Sequence, residues 1–152
     1  ERMARESAEG QALELGWRGD NRVDLTDADY LMMVLKKTCW LAAIYPTRVG
    51  AMIATRDRLD LDPFQRFGFF MGAAFQIQDD ILDVEASTAQ LGKSAGKDAA
   101  QAKATYPALL GLDGAKALLA ELAESMPRHL ARFGEPADAL KSLAEFAVSR
   151  GH

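Results

Sequence analysis

The strongest helix signal in the chain lies in residues 62–83, which read DPFQRFGFFMGAAFQIQDDILD. Asp62 can cap a helix N-terminus, Pro63 suits the first helical position, and only two glycines interrupt the run before Val84. The pattern predicts a helix from Pro63 to about Val84, roughly 22 residues or about 33 Å long. Because this helix is apolar almost all round, we expect it to be central and buried.

Helical patterning continues on both sides of this central helix. Gly68 and Gly72 lie one turn apart on it and would let a neighbouring helix approach closely. Thr26, with Asp29 three residues later, resembles a capping box that opens a second helix, and Pro46 is expected to kink or end that helix. The other expected elements are a helix at Glu1–Leu15, a loop at Gly16–Asn21, helical register over 47–55, a loop at Ser87–Thr105, a short apolar segment at Pro107–Leu112, and helices at about Asp113–Phe133 (interrupted near Pro127) and Pro136–Ser149. We predict one all-α unit spanning residues 1–152.

Composition and charge restrict the classes of protein to consider. The 152 residues are 49% hydrophobic and 26% charged, which is typical of a globular domain. The net charge of −4 is unlike the basic footprint of a nucleic-acid-binding protein. The most apolar run, Phe67–Phe75, is far shorter than the roughly 20 residues that span a bilayer, and no signal segment opens the chain. These features predict a cytoplasmic protein with no nucleic-acid partner and no membrane span.

Two smaller features bear on chemistry and length. The single cysteine, Cys39, excludes an internal disulfide framework and a thiolate zinc site, and we expect it to be a small buried hydrophobe. The chain begins at Glu1 in mid-helix pattern without an initiating methionine. That start is compatible with N-terminal processing, with an expression boundary, or with numbering that starts partway into a larger protein.

Polar residues recur on the second half of the predicted central helix. They are spaced three, four and seven apart, which places them on one stripe of a helix otherwise too apolar to be exposed. The residues of this acidic stripe are Gln76, Asp79, Asp80 and Asp83. Three carboxylates near a helix C-terminus repel one another and oppose the helix dipole, so positive charge has to compensate them. Mg²⁺, which takes oxygen ligands, meets this requirement; the alternative is a solvated acidic helix end paired with lysines of the following loop.

Basic residues accompany the acidic stripe. The expected loop after the helix carries Lys93 and Lys97 beside glycines, and Lys103 follows a few residues later. Earlier in the chain, Lys37 and Thr38 place an ammonium and a hydroxyl group within an apolar helix, where packing alone would favour neither. Three carboxylates together with several ammonium groups indicate a diphosphate held between Mg²⁺ and lysines.

These motifs resemble those of a known family. Phe75–Asp83 is similar to the second aspartate-rich motif of the trans-prenyl (polyprenyl) diphosphate synthases. Gly92–Asp98 and Lys103–Gly111 resemble the segment that follows that motif, and Gly10–Leu15 and Lys37-Thr38 fall in the expected order and spacing. The resemblance extends from about Gly10 to the C-terminus. It implies an all-α, isoprenoid-synthase-type helical bundle, of which this chain holds only the C-terminal half.

The resemblance also implies an activity. Members of the family are Mg²⁺-dependent prenyltransferases that join isopentenyl diphosphate to an allylic diphosphate, head to tail, and the family suggests a homodimer. Farnesyl and geranylgeranyl products are both compatible with the sequence. The residues carried over are the metal ligands Asp79, Asp80 and Asp83, the diphosphate-binding residues Lys37, Lys93, Lys103 and Gln11, and the catalytic residues Lys37, Thr38, Gln76 and Asp79. Such a site needs no protein nucleophile, because stabilising the leaving group in a water-excluded pocket is sufficient.

Two departures from the family pattern affect these expectations. Glu14 stands where the family commonly has aspartate. No first aspartate-rich motif occurs in residues 1–78, where Asp57, Asp60 and Asp62 are better explained by solvation and helix capping. We therefore expect a missing N-terminal half to carry that motif, and this chain alone to be incomplete and inactive.

Two alternative functions stay open at this point. A non-catalytic or truncated subunit could modulate a full-length synthase, although loss of the metal carboxylates would be expected there and all three are present. A class I terpene cyclase also uses aspartate-rich helices with Mg²⁺. The Lys93 segment and Lys103–Gly111 favour the synthase over the cyclase.

Overall fold

The computed structural model describes residues 1–22, 24–91 and 105–150, with side chains omitted for 87–91. Its elements are α1 (Arg2–Gly19), α2 (Asp27–Val34), a π-helical segment (Leu35–Ile44), α3 (Tyr45–Thr55), α4 (Asp62–Leu91), α5 (Tyr106–Ser125), two 3₁₀ segments (Met126–Phe133 and Glu135–Ala137) and α6 (Asp138–Ser149). Within those ranges the chain forms no β-strand, which confirms the predicted all-α class.

Helix α4 is the central helix, as predicted, and it contacts α2, the π segment, α3, α5, α6 and the first 3₁₀ segment. Its fully buried side chains include Phe67, Ala74 and Ile77, which lie in the two hydrophobic clusters of the fold. The helix is longer than predicted, because it continues past Val84 to Leu91. The expectation of a loop from Ser87 was therefore wrong for its first residues, and the rest of that loop lies outside the described residues.

The start of α4 differs in detail from the expectation that Asp62 caps it. Asp62 is the first residue of the helix, and its N–H donates to Asp60 Oδ1 at 3.0 Å. Asp60 also lies 3.6 Å from the guanidinium of Arg132. Capping and solvation thus explain the acidic residues before α4, as the sequence indicated, with Asp60 supplying the carboxylate.

The segment from α2 to α3 is one uninterrupted helical path that changes its hydrogen bonding in the middle. Its π-helical part bonds from residue i to i+5, and its last bond runs from Tyr45 N–H to Trp40 O. Pro46 follows immediately, and because it has no N–H, the backbone hydrogen bonding of the continuous helix lacks a donor at this position. The break expected at Pro46 therefore takes the form of a widened turn before it, and the helix does not end there.

Glycines let two helices approach the backbone of the π segment. A Cβ atom on Gly10 of α1 would lie 2.2 Å from Lys37 N, and one on Gly72 of α4 would lie 2.8 Å from Cys39 Cα. Gly68 meets Ile44 in the same way. The predicted close approach at Gly68 and Gly72 is therefore confirmed, and the π segment is held between α1 and α4. Cys39 is fully buried at this contact, and burial raises the pKa of its thiol to about 12.

Two other boundaries differ from the sequence expectation. Helix α1 continues through Gly16 to Gly19 because Trp17 packs against the core and keeps this turn helical. Helix α5 begins at Tyr106 and bends at Gly111, whose φ of 76° is a conformation that favours glycine. The short apolar segment and the following helix predicted there are thus two parts of one kinked helix. The interruption near Pro127 is confirmed by the change to 3₁₀ geometry at Met126.

The capping box at the start of α2 gives a direct stability prediction. Asp29 N–H donates to Thr26 Oγ1 at 3.2 Å, and Thr26 N–H donates to Asp29 Oδ2 at 3.0 Å. We expect Thr26→Ala to lower the free energy of unfolding by about 1 kcal/mol in urea titrations, because one helix N–H loses its partner. Thr26→Ser keeps the hydroxyl and should retain the wild-type value. If Thr26→Ser lowered the free energy of unfolding as much as Thr26→Ala, the effect would come from loss of the threonine methyl group and not from loss of the cap.

Candidate active site

Lys37 lies on the π segment and faces α1. Its Nζ is 2.5 Å from Glu14 Oε2, and Gln11 Nε2 donates to the same oxygen at 3.3 Å. Both partners of this ion pair are only partly exposed. The structure thus brings three of the sequence-selected residues together. The longer side chain of Glu14, a departure from the family pattern, reaches the ammonium group directly.

Thr38 lies beside Lys37 and faces α4 instead. Its Oγ1 donates to Gln76 Oε1 at 3.0 Å, and Gln76 Nε2 donates in turn to Asp80 Oδ1 at 3.2 Å. Thr38 and Gln76, both carried over from the family resemblance as catalytic residues, are therefore in direct contact. The approach of α4 to the π segment at Gly72 makes this contact possible, since Gly72 and Gln76 are one turn apart.

Asp80 is buried, with 6% of its surface exposed. Its Oδ2 accepts hydrogen bonds from the Tyr30 hydroxyl and, at 3.3 Å, from Tyr106 N–H. Burial raises the pKa of the Asp80 carboxyl, while the hydrogen bonds from Tyr30, Gln76 and Tyr106 act in the opposite direction. The rings of Tyr30 and Tyr106 pack edge to face with centroids 4.6 Å apart. Asp80 therefore connects α2, α4 and the start of α5.

Sequence reasoning missed both tyrosines. The available signal was Tyr30 itself, a residue with a polar tip on the apolar face of a helix. A buried tyrosine hydroxyl usually has a hydrogen-bond partner, so an acceptor for the Tyr30 hydroxyl could have been predicted.

Asp79 and Asp83 occupy a more open environment than Asp80. Asp79 is 40% exposed and forms an ion pair with Arg150, whose guanidinium stacks over Phe75 at 3.9 Å from the ring centroid. Gln78 Nε2 donates to the backbone oxygen of Arg150 at 2.8 Å, which fixes the chain just after α6. Asp83 is exposed one turn further along α4. Arg150 was not identified from the sequence, because no local pattern connects it with a carboxylate 71 residues away.

The acidic stripe is thus divided between two environments. Within the described ranges, no three His, Cys, Asp or Glu side chains lie close enough together to form a ready metal cluster. Asp79 and Asp83 do fit Mg²⁺, which is typically held by one or two carboxylates and keeps several waters. They are one turn apart; Asp83 is exposed, and Asp79 is partly exposed and would exchange its ion pair with Arg150 for the metal, whereas the oxygens of Asp80 already accept three hydrogen bonds. Lys93, Lys97 and Lys103 lie outside the described residues.

Comparison with known proteins identifies the family. The model of the polyprenyl synthetase family matches residues 1–140. The chain therefore belongs to the polyprenyl synthetase family, in agreement with the helical fold and with the contact between Thr38 and Gln76.

Individual relatives support this assignment. The chain is 41% identical over 108 residues to a farnesyl diphosphate synthase of Geobacillus stearothermophilus, an alignment that covers 71% of this chain and 36% of that protein. It is 35% identical over 144 residues to a chloroplastic geranylgeranyl pyrophosphate synthase of Capsicum annuum, covering 93% and 38%. For the farnesyl diphosphate synthase of Escherichia coli, the identity is 34% over 145 residues, covering 93% and 47%. The chain thus spans less than half the length of each.

Solved structures agree with the sequence relatives. The apo structure of an FPP/GFPP synthase from Zymomonas mobilis superposes with a TM-score of 0.74 at 29% identity, covering 93% of this chain and 45% of that one. In the described part of the chain, no helix combines the length and apolar character needed to cross a bilayer.

Proposed function

We propose that the full-length protein is a Mg²⁺-dependent trans-prenyltransferase that condenses isopentenyl diphosphate with an allylic diphosphate. Its product would be a short-chain prenyl diphosphate of the farnesyl or geranylgeranyl class, made in isoprenoid biosynthesis. The observation that carries this proposal is the hydrogen bond of Thr38 to Gln76 beside Asp80 of α4, with the adjacent Lys37 paired to Glu14 of α1. The names of the relatives support the same class of product.

Asp79 and Asp83 are the residues that would hold Mg²⁺. When bound there, the metal would supply positive charge to the oxygens of the allylic diphosphate. Lys37, next to Thr38 on the π segment, is proposed to add an ammonium group, and Glu14 of α1 holds that group by an ion pair. Lys93, Lys103 and Gln11 are proposed to contact the diphosphate as well. Together these groups stabilise negative charge on the departing diphosphate, which is the main requirement for ionising an allylic substrate.

Thr38 and Gln76 would face the allylic carbon from which the diphosphate departs. Both carry neutral dipoles, so they can stabilise developing positive charge without acting as nucleophiles. The isopentenyl double bond then attacks the allylic cation and forms the new carbon–carbon bond. The released diphosphate takes the proton lost from the product, so no protein base is needed.

The proposal requires parts that this chain does not contain. A first aspartate-rich motif would come from an N-terminal half, and the chain spans only 36–47% of the lengths of the three relatives described above. We further propose a homodimeric assembly and a cytoplasmic location for the whole protein.

An assay of the full-length protein tests the proposal. Purified protein is incubated with isopentenyl diphosphate and dimethylallyl, geranyl or farnesyl diphosphate, with Mg²⁺ or with a chelator, and products are separated by chain length. We expect chain extension that requires Mg²⁺. Cyclic hydrocarbon without extension would identify a terpene cyclase. Inactivity of the protein alone, with altered turnover of an added synthase, would identify a modulating subunit.

A further inference from the structure

Asp80 differs from the other carboxylates of the acidic stripe because protein groups occupy both of its oxygens. Gln76 Nε2 donates to Oδ1, while the Tyr30 hydroxyl and Tyr106 N–H donate to Oδ2. The side chain is 6% exposed, so solvent could not replace a lost donor. Three of the about four lone-pair positions of the carboxylate are thus filled by protein donors, and its 6% exposure leaves little room for a hydrated cation.

The hydrogen bonds that connect Asp80 to Gln76 and Gln76 to Thr38 have a defined direction from donor to acceptor. Gln76 turns its NH₂ group towards Asp80, because Gln76 Nε2 donates to Asp80 Oδ1 and a carboxylate oxygen accepts. This orientation points Gln76 Oε1 at Thr38, and that oxygen can only accept. The Thr38 hydroxyl therefore donates its single proton to Gln76. Its lone pairs stay available on the other side of the oxygen.

We propose that Asp80 is a positioning residue, which acts through Gln76 to orient the Thr38 hydroxyl, and that it is not a metal ligand. The inference rests on the proposed function. In that reaction positive charge develops on the allylic group, and oxygen lone pairs directed at it are stabilising, whereas a hydroxyl proton directed at it would be repulsive. Tyr30 and Tyr106 hold the carboxylate from α2 and α5, so its orientation is set before substrate binds.

The first test separates positioning from metal binding. Asp80→Asn is nearly isosteric, but its amide can donate as well as accept, so the orientation of Gln76 is no longer fixed. In the full-length enzyme we expect kcat to fall by about 10- to 100-fold. The KM for the allylic diphosphate and the affinity for Mn²⁺, measured by electron paramagnetic resonance, should stay unchanged. Asp79→Asn is the matched reference, and it should weaken Mn²⁺ binding.

A double-mutant cycle provides the second test. If Asp80 acts through Gln76, then Asp80→Asn should have little further effect on kcat in a Gln76→Leu background. The pair Asp79→Asn and Gln76→Leu should instead show nearly additive effects. A purely structural role for Asp80 would lower stability without producing this coupling in kcat.

Clear results would overturn the inference. One is a loss of Mn²⁺ affinity in Asp80→Asn as large as that in Asp79→Asn. The other is that Asp80→Asn and Gln76→Leu have additive effects on kcat. If Asp80→Asn does not fold, Tyr30→Phe is tested in its place. We then expect a smaller fall in kcat with unchanged Mn²⁺ affinity. An unchanged kcat in Tyr30→Phe would contradict the proposal. A wild-type protein without prenyl transfer would refute the proposed function, while Mn²⁺ binding would still decide whether Asp80 is a ligand.

Discussion

Asp79→Ala in the full-length enzyme should lower kcat by about 10²- to 10³-fold while the fold survives. Asp79 is one of the two carboxylates proposed to hold Mg²⁺, so its loss removes charge stabilisation at the departing diphosphate. The fold should survive with reduced stability, because Asp79 is 40% exposed but its partner Arg150 is only 15% exposed and loses its carboxylate. Steady-state kinetics with varied Mg²⁺ and a thermal melt measure the two effects separately.

A matched control for this variant is Glu121→Ala, which removes an exposed carboxylate from α5 instead of α4. It should leave both kcat and the melting temperature at wild-type values. A sharp fall in the melting temperature of Asp79→Ala with persistent activity would show that the carboxylate is structural. Removing one charge from a group of like charges relieves repulsion, which partly offsets the loss of the ion pair with Arg150.

Gly10→Ala should destabilise the protein by about 3 kcal/mol. The added Cβ would lie 2.2 Å from Lys37 N, and this neighbour is backbone that cannot rotate away. Alanine is favoured over glycine in a helix by only about 1 kcal/mol, which does not offset such overlap. Helix α1 would have to move away from the π segment, and that movement would also separate Glu14 from Lys37. Urea unfolding followed by circular dichroism measures the loss.

Gly16→Ala is the control within the same helix. Its added Cβ would meet no atom within 4 Å, so this variant should be slightly stabilised by its higher helix propensity. If Gly10→Ala proved as stable as Gly16→Ala, α1 would be free to shift, and the contact with Lys37 would not depend on glycine.

The sequence was sufficient to predict the central helix and its glycine contacts, because both depend on local periodicity. It also selected Thr38 and Gln76, which prove to be hydrogen-bonded partners. It could not distinguish Asp79 from Asp80. Adjacent residues on an α-helix point about 100° apart, and only the packing of α2 and α5 decides which carboxylate is buried. The difference between an exposed carboxylate and a buried hydrogen-bond acceptor is therefore a tertiary property.

Other features could not be predicted for related reasons. Arg150 meets Asp79 only because α6 packs against α4, and no pattern near either residue records that contact. The π-helical segment depends on neighbours on both sides, since α1 and α4 press against it at Gly10 and Gly72. Helix ends were misjudged where tertiary packing outweighed weak local signals, as at Trp17 in α1.

Because Cys39 is buried, the rate at which its thiol is labelled can report local opening of the structure. It is the only thiol in residues 1–152, and its reactive thiolate form is scarce at neutral pH because burial raises its pKa to about 12. A maleimide can reach the sulfur only when α4 separates from the π segment at Gly72. The labelling rate would therefore measure how often the junction that carries Thr38 and Gln76 opens. Diphosphate ligands that bridge those helices should slow the labelling.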